Sequence, residues 1–429
     1  MARRLARTTV LSLIGLVVVG SATGALMSTD PPPAAPAVGP VVDTVARAER
    51  RVAEVPGDWR TLADLGLAYV ERARSTGDPG YYPRAQSALE RSTAVHPADN
   101  APAELGFAAL AAARHDFATA LAHADRALTV DAYLAPGYGA RADALIELGR
   151  YDEGFASVQR MVDLHPDASS FARASYTWEL RGDTGRARAA LERALAAAPD
   201  AASTTFALYQ LGELAFGAGD VDGAGKRFDE GRARAPQDVT LRIGRARVLT
   251  ARGQVDRALA EYKGVVTRLP NPGYLAEYGD LLAANGDPAA ARAQYGLVRA
   301  GQRLLAAQGV NTDLELALFD ADHDAPAAAL ESARAAYAAR PTVFAADALA
   351  WALHVNGRSA EALPYAREAQ RLGTRSALLA YHLGVIEAAT GDRDGARTHL
   401  ESALKLNPHF SVVHAPRARQ VLATLGGAR

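Results

Sequence analysis

Apolar, alanine-rich stretches alternate with short polar turns along this chain, and the stretches come in pairs. A glycine stands between the members of most pairs: Gly149, Gly182, Gly219, Gly253, Gly286, Gly357 and Gly391, at spacings of 33, 37, 34, 33, 71 and 34 residues. The longest spacing holds two periods, with a degenerate turn at Asp324. Pro166, Pro199, Pro236, Pro270, Pro341 and Pro408 each follow a turn position by 17 residues. The pattern predicts a unit of helix, tight turn, helix and proline stop. Glycine can take the left-handed conformation that ends a helix, an Asp or Arg starts the next one, and proline cannot continue it. Ala120, Ala187, Ala224 and Ala258 fall where the second helix crosses the first, where only a small side chain allows a separation of about 8 to 10 Å. A lone hairpin cannot bury its apolar face, so units with a period of about 34 residues stack into a solenoid.

The residues that carry the period resemble the tetratricopeptide repeat (TPR) family. Leu65-Gly66 with Tyr69, Leu211-Gly212 and Leu383-Gly384 match its first helix, and Gly149-Arg150-Tyr151, Gly219-Asp220 and Gly391-Asp392 match its turn. Ala187, Leu191, Ala194 and Pro199 match the second helix, as do Ala396, Leu400, Ala403 and Pro408. The resemblance implies an all-α, right-handed α-solenoid of about ten TPR-like hairpins over 59–410, in approximate units 59–100, 101–134, 135–167, 168–204, 205–238, 239–271, 272–309, 310–342, 343–376 and 377–410. A capping helix is expected over 41–58 and another over 411–429, because terminal repeats otherwise expose an apolar face. Two irregularities stand out. Ser75 to Tyr82 adds residues to the first hairpin and reads as a surface loop, and the second helix of the seventh unit runs on from Pro288 to Gln308.

Composition narrows the function. The net charge of -1, with arginines dispersed among acids and alanines, argues against a nucleic-acid surface. There is no cysteine, which removes disulfides, thiolate catalysis and zinc-thiolate sites. At the N-terminus Arg3, Arg4 and Arg7 precede an uncharged stretch from Thr8 to Thr29, followed by a proline-rich linker over 30–40. Residues 1–29 read either as a signal peptide cut after Ala22 or Ala25, or as a single transmembrane anchor. Both place the repeats outside the cytoplasmic membrane, exported to the cell envelope or secreted, with contact to the membrane only through that segment.

Three features resemble chemistry without supplying it. Gly219 to Arg227 resembles a phosphate loop, but the glycine spacing is wrong and Arg227 stands where a hydroxyl would hold magnesium. Asp320, Asp322, Asp324 and Glu331 hold calcium-loop positions, yet Ala325 replaces the required glycine, so a capped turn is the reading in register and a weak calcium site the alternative. The ten histidines show no metal-ligand pairing. No catalytic residue, metal or cofactor is expected.

The remaining feature is the concave face that the TPR resemblance assigns to the first helices. Its inward positions are Tyr176, Glu179, Phe206, Tyr209, Glu213, Phe216, Arg247, Asp280, Phe344, Asp347, Trp351, His354, Tyr381 and His382. Aromatic residues are only 7% of the chain, and their gathering here points to a groove for a peptide or partner helix. Glu213, Asp280 and Asp347 would favour a partner with some basic character. The lysine, asparagine and arginine set with which some TPR proteins clamp a terminal carboxylate is missing. The expectation is a non-catalytic scaffold for an unidentified protein or peptide, with self-association through the solenoid ends as an option. A small-molecule or metal receptor using His354 and His382 is the alternative.

Overall fold

A computed structural model of the chain describes residues 44–426. The expected signal or anchor, the proline-rich linker and the outermost residues of both expected caps lie outside the described residues. Among the described residues there are 22 α-helices and no strand, and none of the helices is long and apolar enough to cross a membrane. They fall into two compact units that divide near residue 141.

The N-terminal unit holds α1 (Thr44–Glu54), α2 (Trp59–Thr76), α3 (Tyr81–Val95), α4 (Ala101–Ala113), α5 (Phe117–Val130) and the start of α6 (Ala135–Glu147). Between α4 and α5 His115 takes φ 58°, in the left-handed region, and Asp116 then caps the second helix by accepting the backbone N–H of Thr119 at 3.1 Å. The α1 helix lies against α2, where the Tyr69 hydroxyl donates to Glu49 at 2.6 Å. Ser75 to Tyr82 is not the expected loop. The α2 helix absorbs its first two residues and α3 its last two, and Tyr82 is buried, so the added length extends helices and leaves Gly77–Gly80 as the turn. The core is built around Leu89. Its side chain fills the space above both Gly66 on α2 and Gly106 on α4, where any Cβ would overlap it.

The C-terminal unit continues with α7 (Tyr151–Leu164), α8 (Ala168–Leu180), α9 (Thr184–Ala196), α10 (Ala201–Gly217), α11 (Val221–Arg234), α12 (Val239–Ala251), α13 (Val255–Arg268) and α14 (Pro272–Ala284). It ends with α15 (Pro288–Ala307), α16 (Asp313–Asp322), α17 (Pro326–Ala339), α18 (Val343–Val355), α19 (Ser359–Glu368), α20 (Ala377–Thr390), α21 (Arg393–Leu406) and α22 (His414–Gly426). Asp183, Asp220, Asp287 and Asp392 cap second helices here. At the degenerate turn Asp324 itself takes φ 59°, the conformation glycine takes elsewhere. The Leu89 arrangement recurs: Phe228 on α11 sits over both Gly212 and Gly244, on the first helices of its own hairpin and the next.

The stack in this unit comes back on itself. The Tyr151 hydroxyl accepts the Val343 N–H at 2.9 Å, the Thr374 hydroxyl donates to the Leu180 carbonyl at 2.6 Å, and the Asn407 amide donates to the Phe216 carbonyl at 2.8 Å. These pairs are 192, 194 and 191 residues apart, so a turn of the coil takes between five and six repeats and the next lies directly on it. Turn glycines form the seam. A Cβ on Gly149 would stand 2.7 Å from the Pro341 carbonyl oxygen and one on Gly219 2.5 Å from that of Leu406, while Gly182 is closer still to Gly373. Around Gly253, Gly286, Gly357 and Gly391 there is open space.

The seam gives a measurable contrast. Gly182 and Gly357 have φ of 71° and 76°, so alanine costs about 1 to 2 kcal/mol at either from backbone strain alone. Gly182→Ala must in addition push two backbones apart, an overpacking cost of about 1 to 3 kcal/mol. Urea unfolding is expected to show the larger loss for Gly182→Ala; equal losses would mean that the seam is open in solution.

Candidate functional site

Stacking repeats one period apart brings equivalent positions of successive first helices together, and on α6, α8, α10, α12, α14, α18 and α20 those positions are strongly polar. Arg247 on α12 donates to Glu213 on α10 and to Glu277 on α14, the latter through two bonds of 2.9 and 2.6 Å. Burial disfavours the Arg247 charge, and the two carboxylates more than restore it. Arg173 holds Asp143 at 2.8 Å, and Arg340 reaches Glu147 at 3.2 Å across the seam. Asp280 accepts from the Tyr295 hydroxyl at 2.9 Å and lies 3.2 Å from His323. Asp347 lies 2.9 Å from His382. Burial pushes the Glu147 carboxyl up to about 7 in spite of Arg340.

Part of this face is covered by the chain itself. After α21 the segment from Asn407 to His414 crosses it: Val412 packs on the cluster around Ile243, Ala246 and Tyr262, and His414 is enclosed beside Asp322, Trp351 and Tyr381. Between this segment and the helices remains a cavity of about 30 Å³, lined in part by Arg247, Tyr262, Glu277, Asp280 and Ser411. That is room for about two waters.

The expected groove residues therefore divide. Trp351 and Tyr381 are 1% and 0% exposed, and Tyr209, Phe216, Arg247, Asp280, Asp347 and His382 are also buried, so none of these offers open surface in this conformation. Trp351 donates its indole N–H to Asp322 and stacks on His382 with ring centroids 4.2 Å apart. Its aromatic character serves the core of α18, α20 and α22. Tyr176, Glu179, Phe206, Glu213, Phe344 and His354 remain half-buried. His354 faces the Ser359 hydroxyl at 3.0 Å, and burial pulls its imidazole down to about 4, with Arg417 and His382 adding to the shift. The calcium-loop carboxylates face different partners: Asp320 pairs with Arg299 at 2.6 Å and Asp322 with Trp351 and His414. Among the described residues no three histidine, aspartate or glutamate side chains gather as a metal site.

Sequence reasoning missed Glu147 and Glu277, although the one-period spacing from Glu179 and Glu213 could have found the first. It also missed Arg340 and Asn407. These sit in connections between hairpins, where no periodicity marks them.

A tetratricopeptide repeat family model matches residues 209–272 and 348–409, two pairs of hairpins whose glycine sockets are Gly212, Gly244 and Gly384. These two stretches are tetratricopeptide (TPR) repeats. No curated protein matches it in sequence. Among solved structures the chain is similar to a thermophilic TPR protein in Thermus thermophilus, at 20% identity over 44% of this chain and 99% of that chain, with a TM-score of 0.39. It is also similar to a tetratricopeptide repeat protein from Parabacteroides merdae, at 17% identity over 56% and 97% of the two chains and a TM-score of 0.41. Yeast Tom70 is similar at 14% identity over 89% of this chain and 84% of that one, with a TM-score of 0.38.

The enclosure of Trp351 has a direct consequence. Trp351→Ala is expected to lower stability by about 3 to 5 kcal/mol, the cost of emptying an aromatic site in a core. An unchanged denaturant midpoint would show that the indole leaves the core in solution and is free to meet a ligand.

Proposed function

We propose that this protein is a non-catalytic interaction scaffold whose first-helix face in the C-terminal unit holds an extended partner segment through a basic side chain. We propose further that it works outside the cytoplasmic membrane, on the strength of the N-terminal arginines and the apolar stretch behind them. TPR folds serve as protein-interaction scaffolds, and the particular partner class follows from one residue.

That residue is Glu179. Its neighbours on the same face have cations from within the chain: Arg173 for Asp143, Arg340 for Glu147, Arg247 for Glu213 and Glu277. No hydrogen bond or ion pair within the described residues reaches the Glu179 carboxylate, which is half-buried. Burial, and then the charge of Glu213, push it up to about 7. A carboxylate in this state is short of one thing, a cation with hydrogen-bond donors. The internal arginines indicate the group that fits: a guanidinium, or the ammonium of lysine in its place. Half-buried Tyr176, Phe206 and Phe344 on the same set of helices supply apolar surface for the stem of such a side chain.

The pH dependence has a fixed sign. Because the folded carboxyl sits at about 7 and the ordinary value is 4.5, ionisation of Glu179 works against the fold as pH rises from about 4.5 to 7. The same ionisation creates the charge that a basic partner needs. A short arginine-containing peptide is expected to bind more tightly at pH 8 than at pH 6, and Glu179→Gln to abolish both the tighter binding and its pH dependence. The variant should also gain stability at pH 8, on the order of 2 kcal/mol, and little at pH 5. Peptide binding that is indifferent to both pH and Glu179→Gln would end the assignment. Recovery of the chain in the cytoplasmic fraction would end the export part of it.

A further inference from the structure

The outer face of α15 is built unlike that of any other second helix. It is the longest helix in the structure at 20 residues. Its inner side packs on α14, with Ala291, Val298 and Gln302 buried. The opposite side carries Ala293, Leu297, Ala300, Leu304 and Ala307, at alternating intervals of four and three residues, and all five are exposed. Leu297 and Leu304 are 51% and 55% exposed and are the only large apolar side chains so exposed among the described residues of the C-terminal unit. A helix apolar on one stripe is what a solenoid needs. A second stripe on the opposite face, at the spacing of a coiled-coil seam, has no use in solvent.

Charge selects what covers it. The α15 helix has no carboxylate between Pro288 and Ala307 and has arginines at 292, 299 and 303. These lie along one edge of the stripe, since residues seven and eleven apart share a helix face. Arg299 is held by Asp320, while Arg292 and Arg303 are exposed and have no acidic partner among the described residues. A second copy of this chain packed antiparallel about a two-fold axis at Ala300 would bring both arginine edges to the same side of the pair, which repels. A helix with an apolar seam and a row of carboxylates along one flank satisfies both features at once. We infer that the outer face of α15 is a docking surface for an acidic amphipathic helix of a partner protein, separate from the first-helix face. The small residues Ala293, Gly296, Ala300 and Ala307 allow close approach, with Leu297 and Leu304 as the anchors.

The probe is a synthetic amphipathic helix with leucines on its heptad seam and glutamates on one flank, titrated by anisotropy against the full chain. Binding is expected, with a loss of about ten-fold or more in the double variant Leu297→Ser, Leu304→Ser, and weakening with added salt and with Arg292→Glu. Because these side chains are exposed, the variants should keep the wild-type melting curve. The inference fails if the peptide does not bind at about 1 mM, if the serine variant binds as well as wild type, or if a lysine-flanked version of the peptide binds equally. It also fails, in favour of other occupants, if the leucine variants abolish only a dimer seen by sedimentation or only binding to phosphatidylglycerol vesicles.

Discussion

The contact on which the structure depends is a large side chain from a second helix seated over two glycines. Phe228 lies on Gly212 of its own hairpin and on Gly244 of the next, and Leu89 lies likewise on Gly66 and Gly106. One knob thus fixes two distances, that between the helices of a hairpin and that between neighbouring hairpins. A methyl group on either glycine overlaps the knob, so the rise and rotation per repeat are set by close packing, which deforms at a cost of kilocalories per methyl group. Because the offset is fixed, equivalent side chains on successive first helices come within bonding distance, and Arg247 reaches both Glu213 and Glu277 although each is about one period away. The electrostatics of the first-helix face is a product of the packing behind it.

The same offset, accumulated over five to six repeats, brings turns against connections and closes the seam in the C-terminal unit. Closure changes the meaning of the concave residues. With the segment after α21 laid across the face, Trp351 and Tyr381 are core, and His414 is enclosed with them. Closure also buries carboxylates. Buried ions are costly unless paired, and three arginines on or across the face, Arg173, Arg247 and Arg340, do the pairing. Among the described residues Glu179 has none, and burial raises its carboxyl.

The period, the hairpins, the turn at Asp324 and the long α15 helix were legible in the sequence because each is written locally: a left-handed residue at the turn, a cap after it, a proline beyond. The seam was not legible. Gly182 and Gly357 are the same residue at the same point in the repeat, and only the coil decides that one touches the next turn and the other touches nothing. For the same reason the aromatic gathering on α18 and α20 read as a groove, since burial between elements far apart in sequence leaves no periodic mark. Asn407, which bonds the Phe216 carbonyl, looks like an ordinary residue before a proline. Ser75 to Tyr82 misled differently: Gly77, Asp78, Pro79 and Gly80 are turn formers, but the flanking residues satisfy their backbone groups by continuing the helices on either side.

A net charge of -1 conceals how the charges are sorted in the C-terminal unit. Carboxylates on the first-helix face meet arginines buried with them, whereas α15 carries arginines and no acid. Repeats impose the first distribution, because an acidic position that recurs with the period stacks on itself and must be neutralised by something reaching into the stack. The second is free of that constraint: the outer face of a second helix meets no neighbour of its own kind, so its composition is set by solvent or by a partner. Solvent has no use for Leu297 and Leu304 in heptad register beside two arginines that have no acidic partner among the described residues. The two faces therefore differ in kind: the first-helix face holds carboxylates with arginines buried beside them, and the outer face of α15 holds exposed leucines beside arginines.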